Sequence, residues 1–341
     1  MLSFACDYNE GAHPKVLAHL IERNLVSLPG YGADPDTEAA MEKIRRECGR
    51  DDLQIQFLTG GTQTNLIAVS SMLRSYEGVV AAETGHVNVH ESGAIEFSGH
   101  KVLALPGKDG KLPAETLAVY MERFLADETN EHMVRPGMVY ISHPTELGTL
   151  YSKAELTALA AVCRRYALPL YIDGARLGYG LMSPMNDVTL ADIVELSDLF
   201  YIGGTKVGAL CGEALIFTKN NMPPHFLSVI KQQGALLAKM RVVSQQFDAL
   251  FTDGLYWELG RRAVALAMRM KRMFLDHGYA LYADSPTNQQ FFILTQEQYT
   301  RLRSGAVFEI WERLPDGRLA VRFCTSWATT DEDLDELEKL L

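Results

Sequence analysis

Apolar positions along the chain follow two spacings, and the spacing switches many times. Gln54–Leu58, Val79–Ala82, Val102–Leu105, Met138–Ile141, Leu168–Ile172, Leu199–Ile202 and Ala214–Phe217 are short, apolar, strand-like runs. Between them lie stretches with apolar residues three and four apart: Pro35–Glu47, Asn65–Tyr76 with Leu66, Val69 and Leu73, and Pro113–Leu125 with Leu117, Met121 and Phe124. Ser152 and Glu155 form an S-x-x-E capping signature ahead of Leu156, Leu159, Ala160 and Cys163 on one helix face. Strands apolar on both faces, alternating with helices, predict an α/β fold with a mostly parallel central sheet flanked by helices.

The pattern changes after about Ser228. One long helical stretch is expected over Ile230–Phe251 and a second over Trp257–His277. Phe291–Leu294, Val307–Glu312, a Pro315-Asp316-Gly317 turn and Leu319–Cys324 then give a hairpin signal, followed by an acidic helix over Asp331–Leu341. We expect a large domain over 1–249 and a smaller C-terminal α+β domain over 250–341.

Charge and composition narrow the function. With 43 acidic against 32 basic residues the net charge is −11, which disfavours nucleic acid as a partner. No apolar run approaches the roughly 18 residues of a spanning helix, and the first residues, Met1–Asp7, lack the basic and apolar stretches of a secretion signal. Five scattered cysteines give no zinc spacing and suit reduced thiols in a cytoplasm. P-loop, G-x-G-x-x-G, H-E-x-x-H and G-x-S-x-G patterns are all missing.

Three features at predicted strand ends carry the chemistry. Thr59-Gly60-Gly61-Thr62 opens a helix, where free amides, glycines and a hydroxyl make a phosphate cup. Asp173 directly follows a buried strand, and Lys206 follows another through Gly203-Gly204-Thr205. Taken singly these read as a chain reversal, a helix cap and a surface lysine. Together they are the parts that hold pyridoxal 5′-phosphate: a cup, an acid for the pyridine nitrogen, and a poorly hydrated amine to form the Schiff base.

In this order the sequence resembles the threonine aldolase / aromatic amino-acid β-eliminating lyase family of fold type I pyridoxal phosphate enzymes. The resemblance rests on Phe4–Pro14, Tyr31–Pro35, Thr59–Asn65, His86–Ala94, Asp173–Leu177, Gly203–Gly208 and Val321–Ser326. It implies that Lys206 carries the cofactor, Asp173 faces its ring nitrogen, Gly60, Gly61 and Thr62 hold the phosphate, Thr205 and Arg176 also bind the cofactor, and His86 stacks on the ring and helps proton transfer. Arg176 and Arg322 fall where the family grips the substrate carboxylate, and Tyr31 and Cys6 fall at substrate-binding positions. Many members have Ser in place of Cys6. Lys231 and Arg241 lie where members lend cations to a neighbouring subunit's phosphate, so a homodimer or homotetramer is implied. Aldolases of the family often place a His after the strand preceding the acid. Here the stretch is Ser142-His143-Pro144-Thr145-Glu146, with His143 one place off, and the hydroxyl-side base is expected to be His143, His86 or water. The activity implied is retro-aldol cleavage of a β-hydroxy-L-amino acid. β-Elimination, racemisation or transamination with the same cofactor, or a non-catalytic ligand-binding relative, stand as alternatives.

Overall fold

The computed structural model describes all residues, 1–341. Its thirteen strands are β1 (Leu2–Ser3), β2 (Gln54–Leu58), β3 (Glu77–Ala82), β4 (Val102–Leu105), β5 (Arg135–Ser142), β6 (Leu170–Asp173), β7 (Leu199–Gly203), β8 (Glu213–Phe217), β9 (Ala280–Ala283), β10 (Gln289–Leu294), β11 (Ala306–Val307), β12 (Glu309–Arg313) and β13 (Leu319–Cys324). Seven of them form one sheet in the order β2-β8-β7-β6-β5-β3-β4. Only β8 runs against its neighbours, pairing antiparallel with both β7 and β2. The architecture is thus the expected α/β one, a mostly parallel sheet with helices on both faces.

Strict alternation explains why these runs read as wholly apolar. Ile55, Phe57, Val80, Val139, Ile172, Phe200 and Ile216 enter the core on one face. Their neighbours Leu58, Val79, Tyr140, Tyr171, Leu199 and Phe217 enter the core on the other. Parallel strands all end at one edge of the sheet, so the chain leaving β5, β6 and β7 converges there.

A second, antiparallel sheet, β12-β13-β10-β9, has its own core of Phe274, Phe292, Leu302, Phe308, Phe323 and Leu334. The predicted hairpin across Pro315–Gly317 is present, with Glu309 opposite Arg322 and Arg313 opposite Leu319. The helix Leu255–Asp276 joins both bodies: Leu259, Ala263 and Val264 pack into the large core, and Leu266, Met270 and Phe274 into the small one. The start of the chain also crosses over. Leu2 pairs with Ala306 in parallel, and Phe4 lies in the second core.

Two expectations are corrected. Ile230–Phe251 is not one helix: Phe226–Gln232 and Arg241–Leu250 are separated by a segment in which Gly234 takes φ +70°. The helix expected over Asn65–Tyr76 runs over Gly61–Met72, beginning directly at the Gly-Gly turn. Leu73 is extended, which ends it.

Candidate active site

The cleft lies beyond the carboxyl ends of β5, β6 and β7 and has two connected chambers. The inner, about 300 Å³, is lined by Gly61, Thr62, Asn65, Asp173, Thr205 and Glu213, among others. The outer, about 590 Å³, adds Trp311, Glu309, Gln289 and Arg322 from the second sheet and its approaches. Six residues line both: Tyr8, His86, His90, Glu146, Arg176 and Lys206.

Close backbone packing brings the acid and the lysine to one place. The Gly203 amide donates to the Gly174 carbonyl at 3.0 Å. A Cβ on Gly174 would lie 1.9 Å from the Tyr201 carbonyl oxygen, and one on Gly203 would lie 2.3 Å from that of Ala175. Only glycine at both positions lets the turns after β6 and β7 touch, and these turns carry Asp173 and Lys206.

Asp173 is buried but richly bonded. Tyr140 Oη donates to Oδ2 at 2.6 Å, Asn65 Nδ2 donates to the same oxygen at 3.0 Å, and the Ala175 amide donates to Oδ1 at 3.0 Å. Burial alone would raise its pKa. The nearby His86 and the donated hydrogen bonds outweigh it and hold the carboxyl below the ordinary range. Lys206 shifts the other way. Burial, then the neighbouring Arg176 guanidinium, lower its pKa against the pull of Asp7 and Asp173.

The helix Gly61–Met72 points its first amides into the inner chamber. Its Gly60 N-cap is extended and offers no capping side chain, so those amides have no partner within the helix. A Cβ on Gly61 would come within 3.2 Å of Tyr201 Oη, so glycine keeps the cradle open. Opposite, Thr205 Oγ1 donates to Glu213 Oε1 at 2.7 Å and the Gly204 amide donates to Oε2 at 3.2 Å. Burial raises the Glu213 carboxyl to about 8. His86 is held at its Nδ1 by Glu91 at 2.7 Å, and Glu91 in turn accepts from Asn65 Nδ2 at 2.6 Å. The Arg176 Nε and Nη2 form a two-point pair with Asp7, at 2.7 and 2.9 Å. That leaves Nη1 free of intramolecular partners.

A family model described as "Beta-eliminating lyase" matches residues 28–304. The chain belongs to the β-eliminating lyase family. Over 340 residues it is 30% identical to the low specificity L-threonine aldolase of Pseudomonas sp. (strain NCIMB 10558), covering 98% of this chain and 95% of that one. A Leishmania major threonine aldolase structure superposes with a TM-score of 0.96 at 41% identity, covering 100% of this chain and 98% of that one. A putative L-allo-threonine aldolase from Listeria monocytogenes, 16% identical with a TM-score of 0.75 over 100% and 95% of the two chains, shares the fold. That fold is the type I architecture of pyridoxal phosphate enzymes.

For this β-eliminating lyase family member, the structure places the residues singled out by the sequence in different surroundings. Gly61, Thr62, His86, Asp173, Arg176, Thr205 and Lys206 meet in the cleft, with Gly60 capping the helix behind it. Arg322 lines the outer chamber, where Nη1 donates to Gln289 Oε1 at 3.1 Å, Nη2 pairs with Glu309, and the guanidinium lies 5.6 Å from the Trp311 ring. Tyr31 and Lys231 instead form a separate surface cleft with Leu227, Ser228, Gln232 and Leu236, the ammonium 4.6 Å from the Tyr31 ring. Arg241 donates to the Val26 carbonyl at the start of its helix.

Two expected site residues face elsewhere. His143 is fully buried, its ring 6.3 Å from that of Tyr151, with neither nitrogen partnered, and it lines neither chamber. Cys6 donates its thiol to Asn9 Oδ1 at 2.8 Å, while the next residues, Asp7 and Tyr8, reach Arg176 and the cleft. Missed in the sequence were Asn65, Tyr140, Glu146 and Glu213. An acid opening the apolar run Ala214–Phe217 was the one available signal, and Asn65 and Tyr140 read as ordinary helix and core positions.

Proposed function

We propose that this cleft holds pyridoxal 5′-phosphate and cleaves the Cα–Cβ bond of a β-hydroxy-L-amino acid, L-threonine or L-allo-threonine, into glycine and acetaldehyde. The observation that carries the reading is the juxtaposition of an ionised, hydrogen-bonded Asp173, a cationically crowded Lys206 and an unpartnered helix start around one chamber. The donor set suits the cofactor: Gly61, Thr62 and Thr205 for the phosphate, Asp173 for the pyridinium, Lys206 for the aldehyde carbon. When bound, the cofactor supplies an electron sink conjugated to the substrate Cα.

The remaining work falls to side chains. Asp173 keeps the proton on the ring nitrogen, and Tyr140 and Asn65 fix its Oδ2 while it does so. Lys206, with its pKa lowered, spends more time as a free amine than an exposed lysine. The free edge of Arg176, aligned by Asp7, and the Arg322 guanidinium offer the cations for the substrate carboxylate. His86, fixed by Glu91, would stack on the ring of the bound cofactor. Lys231 and Arg241 stand outside this cleft, which supports a homodimer or homotetramer in which each copy completes its neighbour's phosphate site. Five cysteines without a disulfide support a reducing, cytoplasmic setting, and no helix is long and apolar enough to cross a membrane.

Incubation of the cofactor-loaded protein with L-threonine and with L-allo-threonine tests the reading. Glycine and acetaldehyde are expected from at least one of them. Pyruvate with ammonia would indicate elimination, and conversion of the bound aldehyde to an amine would indicate group transfer; either in place of cleavage overturns it. Lys206→Ala is expected to lose the visible absorbance of lysine-linked cofactor and at least about 10³-fold in cleavage rate.

A further inference from the structure

With His143 turned into the core, the cleft must take the substrate's hydroxyl proton on another group. Resting on the reading above, we infer that Glu146 is the catalytic residue that exchanges this proton. Of the six residues at the junction of the two chambers, Lys206 is assigned to the cofactor, Arg176 is a cation paired with Asp7, Tyr8 is a phenol and His86 is tied to Glu91. Glu146 and His90 remain.

Glu146 is built into place. It stands in the turn after β5, and only 8% of it is exposed. Oε1 accepts from Ser142 Oγ at 2.5 Å and from the His86 amide at 2.9 Å, which fixes the carboxyl against the loop that carries the His86 ring. Oε2 makes no hydrogen bond within the protein and is not enclosed by it, so it is the oxygen left for a ligand. His90, by contrast, is solvent-exposed and rests against the rings of His86 and Trp311 at 5.5 and 6.0 Å.

The surroundings suit a group that gives and takes a proton. Burial raises the Glu146 pKa against the hydrogen bond from Ser142 and the pull of His86; Asp173 adds to the rise. Tyr140 on β5 and Tyr151 beyond the turn face it as neutral phenols, and Lys206 and Arg176 share its chambers. In the cleavage direction the β-hydroxyl O–H bond breaks and its proton passes to Oε2. The oxygen's electron pair forms the aldehyde C=O, and the Cα–Cβ pair leaves with Cα. Cα then takes a proton to become glycine, and Glu146 returns its own to water.

Glu146→Gln keeps an acceptor for Ser142 and His86 but cannot take the proton. Its kcat for L-threonine cleavage is expected to fall about 10²–10⁴-fold. The low-pH limb of the wild-type rate profile should vanish with it. Cofactor titration by absorbance and exchange of the glycine Cα–H with deuterium, read by NMR, should stay close to wild type. The wild-type-minus-variant infrared spectrum of the cofactor-free protein should show a titrating protonated-carboxyl band.

Two results would overturn the assignment: kcat within about threefold of wild type, or cleavage and glycine exchange falling together, which a structural role through His86 would give. A loss of cleavage in His90→Phe but not in Glu146→Gln would move the role to His90. If the wild type cleaves neither threonine isomer while still exchanging glycine, the functional reading fails rather than this residue alone.

Discussion

The imidazole of His143 is fully buried beside the Tyr151 ring with no partner for either nitrogen, and burial pushes its pKa down to about 4. The unfolded chain binds a proton there near pH 6.5, whereas the folded chain does so only near 4. Between those values the unfolded state holds the extra proton, so stability falls as pH drops through this window, by about 3 kcal/mol at its lower end. His143→Leu should therefore unfold at a lower pH than wild type in an acid titration followed by circular dichroism. Its cleavage rate should stay within about threefold of wild type, because the ring touches no chamber. Asp7 contributes with the same sense, in a lower pH window. Burial opposes its charge, but Arg176, then Lys206, and the bonds from Arg176 and Asn288 bring its carboxyl down to about 2. Its stabilisation is whole above the unfolded value of 3.8 and is lost only as pH falls through about 2. Of these two groups, the histidine is the one that acts above pH 4, and removing its ring separates the two.

Elements show why some of the molecule could be read from the chain and some could not. The Ser152–Glu155 box is local: Ser152 Oγ accepts the Glu155 amide at 3.2 Å, and Glu155 accepts the Ser152 amide at 2.7 Å. Ser152→Ala should cost about 1 kcal/mol in a denaturant titration and leave cleavage unchanged, since neither Ser152 nor Glu155 lines the cleft. Lys206, Asp173 and the Gly60–Thr62 turn were legible for the same reason. Each directly follows a strand whose apolar run marks it, and parallel strands deliver their ends to one edge. The hydroxyl side was not legible. After β5 the chain turns tightly enough that His143 enters the core and Glu146 returns to the cleft, and neither residue type nor spacing settles which side chain faces out. The broken helix near Gly234 failed similarly. Apolar spacing continues across Ile230–Phe251, and only the left-handed glycine records the interruption. Glu213 enters the site across an antiparallel pairing, opposite Gly203, a long-range fact of register that no local pattern carries.

At the scale of the whole molecule, we propose that a second copy of the chain completes the cleft. We propose two units, 1–249 and 250–341, with the helix Leu255–Asp276 embedded in both; this sets Arg322 and Trp311 over a cleft whose other residues come from the first unit or the amino end. Lys231 and Tyr31 form a separate cleft, and exposed apolar side chains stand nearby in sequence on the same helices, Leu227 at 55% and Val242 at 39% exposed. If a second copy covers this surface and Lys231 serves the partner's phosphate, two inactive variants should rescue one another. Lys206→Ala removes a site's own amine, and Lys231→Ala removes the cation lent to the neighbour. In a mixed dimer one site carries both losses and the other carries neither. Co-refolding equal amounts of the two variants should then restore about a quarter of wild-type cleavage, the share of intact sites under random pairing. Mixing without dissociation should restore none. If the cation acts within its own chain every mixed site stays defective, so activity no higher than the sum of the separate variants would place Lys231 outside any shared site.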